Sequence, residues 1–183
     1  MISGGEPTLH KDILDITEFA SKLFRNVAVI SNCVKPEILK QISEHTTIWV
    51  SLDFYGEAQD SFRGFKGIWR NYLGIADIAN VRATLFKDNL NDIEKLVKFT
   101  AEHGRKITIV PCKSENPHLT PNPQQLQRLL LYIFQNGYAE QAVVDDPCVR
   151  MWLTTKNPDL MREAKKHGSL CNACENVIRV NPL

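Results

Sequence analysis

No stretch of the sequence approaches the roughly 20 consecutive apolar residues that a membrane-spanning helix needs. The first residues also lack the basic segment followed by an apolar run that marks a secretory signal. Charge of one sign is missing too. The 22 Lys and Arg are balanced by 21 Asp and Glu, for a net charge of +1. Bulk electrostatics therefore offers little to a nucleic acid or an anionic membrane surface. Cysteine is scarce. Five are present, Cys33, Cys112, Cys148, Cys171 and Cys174, and an odd number without an export signal argues against a disulfide framework. There is no low-complexity segment and no sequence repeat. These absences make a cytoplasmic location the default expectation. The chain has 183 residues, 43% apolar and 23% charged, which suits one globular domain, or one domain with a small extension.

What is present is a rhythm. Short β-branched runs at 26–32, 46–54, 80–86, 106–112 and 139–146 predict strands. Between them lie helical patterns at 9–24, 35–45, 61–79, 92–103 and 124–136. In the first helix Ile13, Ile16, Thr17, Ala20, Leu23 and Phe24 share one face. In the third, Gly64, Gly67 and Gly74 interrupt the pattern. Asn91 is a candidate cap for the fourth, and Asn122-Pro123 starts the fifth. A further short helix and a strand-like end follow from 158 onward. Strand and helix alternating in this way predict βαβ crossovers, an α/β fold and a parallel sheet. The strands read as near-continuously apolar, which predicts cover on both faces of the sheet.

In such sheets ligands bind beyond the carboxyl ends of the strands. That singles out Gly4-Gly5-Glu6, Asn32-Cys33, Ser51 to Asp53 with Tyr55, Lys87-Asp88-Asn89 and Pro111-Cys112. Paired glycines after a strand let backbone pass close to a ligand, with carbonyls exposed to accept from an ammonium group. Glu6 adds negative charge, and Pro7 delays the helix that follows. A plain strand-to-helix turn fits the same four residues.

The order of the pieces goes further. Gly4-Gly5-Glu6-Pro7 precedes an amphipathic helix, then a strand ending at Asn32, then Val50-Ser51-Leu52-Asp53. Arg63-Gly64, Val81 to Leu85 with Asn89, and Ile107 to Pro111 follow. This order resembles the radical S-adenosylmethionine (radical SAM) superfamily. The resemblance implies an incomplete (β/α)6 partial TIM barrel. It also implies that Gly4, Gly5 and Glu6 receive the methionyl amino group, largely through backbone carbonyls. Ser51 and Asp53 would bond the ribose hydroxyls, and Arg63 would pair with the methionyl carboxylate, with Arg70 and Arg82 as other candidates. A strand-end packing role for Ser51 and a loop cap for Asp53 remain open. The implied reaction is reductive cleavage of S-adenosylmethionine to a 5′-deoxyadenosyl radical, which abstracts hydrogen from a substrate. The electron would come from a donor such as ferredoxin or flavodoxin.

The family's C-x3-C-x2-C loop, which holds the reducing [4Fe–4S] cluster, has no counterpart in the 183 residues. Cys33 and Cys112 lie on different strands and read as buried small hydrophobes. The expectation is a barrel at 1–146 that begins at the family's second strand, so that the chain alone is inactive. Cys171-Asn172-Ala173-Cys174 after His167-Gly168 resembles the start of a SPASM or twitch extension, expected at 147–183. The resemblance makes Cys171 and Cys174 candidate ligands of an auxiliary [4Fe–4S] cluster in a longer parent, with Cys148 a further possibility. Half a zinc knuckle or a redox dithiol fits the pair as well. A peptide or tetrapyrrole-like substrate is what such an extension implies. Two other functions stay open: a non-catalytic α/β binding or scaffold module, and a sugar-phosphate barrel, which an acid in the loop disfavours.

Overall fold

The structure is a computed structural model that describes residues 1–145. Five strands, β1 (Ala28–Ser31), β2 (Thr47–Ser51), β3 (Ala79–Leu85), β4 (Ile107–Pro111) and β5 (Ala142–Val144), form one sheet in sequential order. Every pair is parallel. Ile2 adds a single parallel bridge to Val29 on the outer side of β1. Parallel neighbours in unbroken sequential order have no point at which the winding reverses. Right-handed crossovers then lay every connecting helix on the same face. This is an α/β arc of the kind that a TIM barrel closes.

The helices are α1 (Ile13–Leu23), α2 (Pro36–Ile42), α3 (Glu57–Arg63), α4 (Ile68–Leu73), α5 (Leu90–Glu102) and α6 (Pro123–Gln135). Val29, Ile48, Val50, Val81, Ala83, Ile107 and Ile109 face them and share a buried core with Leu39, Ile68, Leu96 and Leu129. The alternate strand residues, Ile30, Trp49, Asn80, Arg82, Thr84 and Thr108, are only partly buried. Among the described residues cover is therefore uneven, not equal on both faces as expected: one face is packed, and the other is a partly exposed concave surface carrying polar side chains.

Local chemistry explains the other differences. Pro7 opens a 3-10 turn (Pro7–Leu9), and the first helix starts only at Ile13. In α1, Ile13 and Thr17 are buried while Ile16, Leu23 and Phe24 are exposed, so only part of the expected apolar face packs. The expected helix at 61–79 is two helices. Gly64 and Gly67 adopt φ of 66° and 91°, which breaks the helix and which other residues rarely tolerate. Asp60 fastens the break by accepting from the Gly67 N–H at 2.5 Å and the Trp69 N–H at 3.0 Å. Burial raises the Asp60 pKa, but these backbone donors outweigh it and hold the carboxyl below its usual range. Asn89, not Asn91, precedes α5, and its side chain bonds the sheet rather than the helix. Asn122 behaves as expected and forms a reciprocal capping box with Gln125.

Candidate functional site

The carboxyl ends of the strands gather the predicted residues on one rim. Gly4 and Gly5 lie just past the Ile2 bridge, with φ of 105° and 54°. No heavy atom comes within 4 Å of the place where a Cβ would stand on either. The backbone there is open to an approaching molecule, and side chains are excluded by conformation rather than by crowding.

Glu6 sits beneath this turn, and its carboxylate is fully engaged. Oε1 accepts from the Thr8 N–H at 3.1 Å, the Thr8 hydroxyl at 2.6 Å and the Ser31 hydroxyl at 2.7 Å. Oε2 accepts from the Asn32 N–H at 2.7 Å. Glu6 therefore clamps the glycine turn to the end of β1. Its charge still lies beneath the turn, where it favours a cation above.

At the end of β2, Ser51 lies on the concave face, and its hydroxyl makes no hydrogen bond to the described residues. Asp53 turns inward and is 2% exposed. One of its oxygens accepts from Arg63 at 2.5 Å, the other from the Thr84 N–H at 2.7 Å. Asp53 thus ties the end of β2 to β3 and orients Arg63. The Arg63 side chain is 36% exposed and meets Asp53 through one terminal nitrogen, its other donors making no hydrogen bond among the described residues. Phe62 lies against the guanidinium, 5.7 Å from its carbon to the ring centroid. Arg70 belongs to α4 on the helix side of the sheet, beside Asp60, and Arg82 lies on the concave face of β3.

Two buried amides hold the backbone here, Gln59, which the sequence does not single out, and Asn89, which it places just after β3. Gln59, fully buried, accepts from the N–H groups of Asp53 and Phe54 at 2.9 Å each and donates to the Ser51 carbonyl at 3.2 Å. Asn89, also buried, donates to the carbonyls of Asp53 and Thr84 at 2.7 and 2.9 Å. Gly56, with φ of 71°, turns the chain into α3, which carries Gln59 back over the strand end.

Of the other residues singled out, Tyr55 and Trp69 pack together 4.6 Å apart in an aromatic cluster with Tyr72 and Phe99 on the helix side. Cys33 is buried as expected. Burial, with a smaller effect from Glu6 and Glu37, pushes its thiol up to about 12. Cys112 is only half-buried, which corrects the expectation for that residue. Among the described residues no group of three or more His, Cys, Asp or Glu stands ready to hold a metal ion. Cys148, Cys171 and Cys174 lie outside the described residues. No described helix is long and apolar enough to cross a membrane.

No family model matches the chain. It is 29% identical to the Fe-coproporphyrin III synthase of Methanosarcina barkeri, over 89% of this chain and 48% of that protein. It is 21% identical to the AdoMet-dependent heme synthase of the same organism, over 92% of this chain and 52% of the relative. The antilisterial bacteriocin subtilosin biosynthesis protein AlbA of Bacillus subtilis is 27% identical over 57% of this chain and 26% of its own. The chain spans about half the length of the first two of these curated relatives. The crystal structure of Streptococcus suis SuiB bound to S-adenosylmethionine superposes with a TM-score of 0.64 at 17% identity, over 85% of this chain and 39% of SuiB. At that identity the likeness speaks for the fold.

Proposed function

We propose, from the kinship of this chain with radical SAM enzymes, that it forms the S-adenosylmethionine-binding part of such an enzyme. The cofactor would lie across the carboxyl ends of the strands. The carbonyls around Gly4 and Gly5 take its ammonium group, the free Ser51 hydroxyl takes a ribose hydroxyl, and the unspent donors of Arg63 take its carboxylate. Glu6 contributes by holding the turn, and Asp53 by aiming Arg63 and closing the ribose end of the site. The observation that carries this reading is the open glycine turn, clamped by Glu6 on the same rim as Ser51 and Arg63. When bound, the cofactor would supply a radical that abstracts hydrogen from a substrate.

The described residues do not fit the [4Fe–4S] cluster that starts this chemistry. They contain no group of three candidate ligands, and the Cys33 thiol is held protonated by burial. The 183 residues by themselves are proposed to bind the cofactor without cleaving it. The division at 146 and the auxiliary-cluster role of Cys171 and Cys174 remain part of this proposal. So does a tetrapyrrole-like or peptide substrate, which the names of the coproporphyrin and subtilosin relatives support.

Calorimetric titration of the full chain with S-adenosylmethionine tests the reading. Weak, saturable binding is expected, lost in Gly4→Val and weakened about tenfold in Ser51→Ala. Anaerobic reconstitution with iron, sulfide and dithionite is expected to release no 5′-deoxyadenosine. Affinity unchanged by both substitutions would defeat the assignment, and turnover would defeat the proposed inactivity.

A further inference from the structure

Below the strand mouth, the concave face carries a feature that the cofactor reading does not use. Ile30, Trp49, Arg82, Thr108 and Val143 come from five adjacent strands and line one cavity of about 380 Å³. That volume lies within the range of small-molecule sites. In register, Arg82 stands beside Ser51 on one side and Thr108 on the other. Trp49 and Ile30 pair one rung nearer the amino ends of the strands. A cation thus occupies the middle of a rung flanked by small hydroxyls, above a floor formed by an indole and an isoleucine.

The guanidinium is poorly spent. Asp145 lies 3.7 Å away, too far for a hydrogen bond, and the two side chains are 37% and 52% exposed. Lys106 adds a second cation to the lining, so that among the described residues two positive side chains face one negative one. A guanidinium whose side-chain donors make no hydrogen bond among the described residues, set beside apolar walls, suits a planar carboxylate carried on an apolar body.

We propose that this cavity holds the carboxylate-bearing end of an apolar substrate. Arg82 is its anchor, and Asp145 is the resting counter-ion that the incoming carboxylate displaces. The inference rests on the reading that S-adenosylmethionine occupies the strand mouth, because the Ser51–Arg82 pairing then sets the anchored end next to the cofactor. Net positive lining and a single two-pronged donor are what select a carboxylate over a neutral group.

The test uses the full chain with 3-phenylpropionate and its neutral amide as probes, followed by ligand-observed saturation-transfer NMR. The acid is expected to bind roughly tenfold more tightly than the amide, the size of one charge-assisted hydrogen-bonded pair. Arg82→Gln should abolish that preference, and Arg82→Lys should keep part of it. Asp145→Asn should tighten acid binding about threefold by removing the competitor, leaving the amide unchanged. Should Arg82→Gln fail to fold, the Asp145→Asn result decides. Equal affinity for acid and amide, or a preference that survives Arg82→Gln, overturns the proposal. Displacement of the acid by inorganic phosphate or by saturating S-adenosylmethionine overturns it as well. A chain that prefers the acid yet binds no S-adenosylmethionine supports the carboxylate site and sinks the cofactor reading alone.

Discussion

Glu6→Gln changes the hydrogen-bonding sense of one side-chain atom and almost nothing in size. The native carboxylate meets four donors, two of them backbone N–H groups, Thr8 at 3.1 Å and Asn32 at 2.7 Å, on different oxygens. The other two are the hydroxyls of Thr8 and Ser31, which can rotate to accept instead. A backbone N–H cannot. Whichever way a glutamine amide is set, its NH2 group points at Thr8 N–H or at Asn32 N–H, and one of these loses its partner. A hydrogen bond to a charged group is worth about 1.5–3 kcal/mol. Glu6 is half-buried, so a loss of about 2 kcal/mol is expected against a total near 5–15 kcal/mol. For a domain of this size that lowers Tm by about 4–8 °C. Urea and thermal unfolding followed by circular dichroism measure the loss, and amide exchange at Asn32 locates it. Thr8→Ser keeps the hydroxyl and should cost far less. A Glu6→Gln protein within about 0.5 kcal/mol of the native one, the spread of ordinary surface substitutions, would show that the acid does not hold the turn.

That role is also where sequence reasoning reached its limit. An acid after paired glycines announces negative charge at a strand end. Its partners Ser31 and Asn32 lie 25 and 26 residues away, however, and only the Ile2–Val29 bridge brings them to it. Asp53 behaves in the same way: its partner Thr84 is 31 residues distant and is set by the β2–β3 register. The strands themselves were legible, since β-branched runs between glycine and proline breaks leave few alternatives. Their open face was legible too, through Asn80, Arg82, Thr84 and Thr108 at every second position, but the apolar residues between them dominated the reading. Gly64 and Gly67 announced an interruption, and only the backbone reveals that the helix stops there and restarts. Gln59 had no such signal. A glutamine in the first turns of a helix looks like a solvated surface residue until the fold buries it against three backbone groups.

Two further perturbations follow from the same geometry. Asp53→Ala leaves the Thr84 N–H without its acceptor and releases Arg63, whose partial exposure discounts the ion pair. A loss of about 2–3 kcal/mol in urea unfolding is expected, and a near-native midpoint would mean that the buried carboxylate does not link β2 to β3. Cys33 supplies a pH dependence. Its thiol is raised from 9.0 to about 12 in the folded chain, chiefly by burial. The unfolded chain therefore gives up this proton first, and the contribution to stability is full below pH 9 and lost as pH rises toward 12. Burial of the Tyr72 hydroxyl acts in the same direction. Comparing the chain with Cys33→Ala at pH 7.5 and pH 10 isolates the thiol, because the alanine variant should lose less stability over that interval. Native-state iodoacetamide labelling read by mass spectrometry should modify Cys112 well before Cys33, and early labelling of Cys33 would contradict its burial.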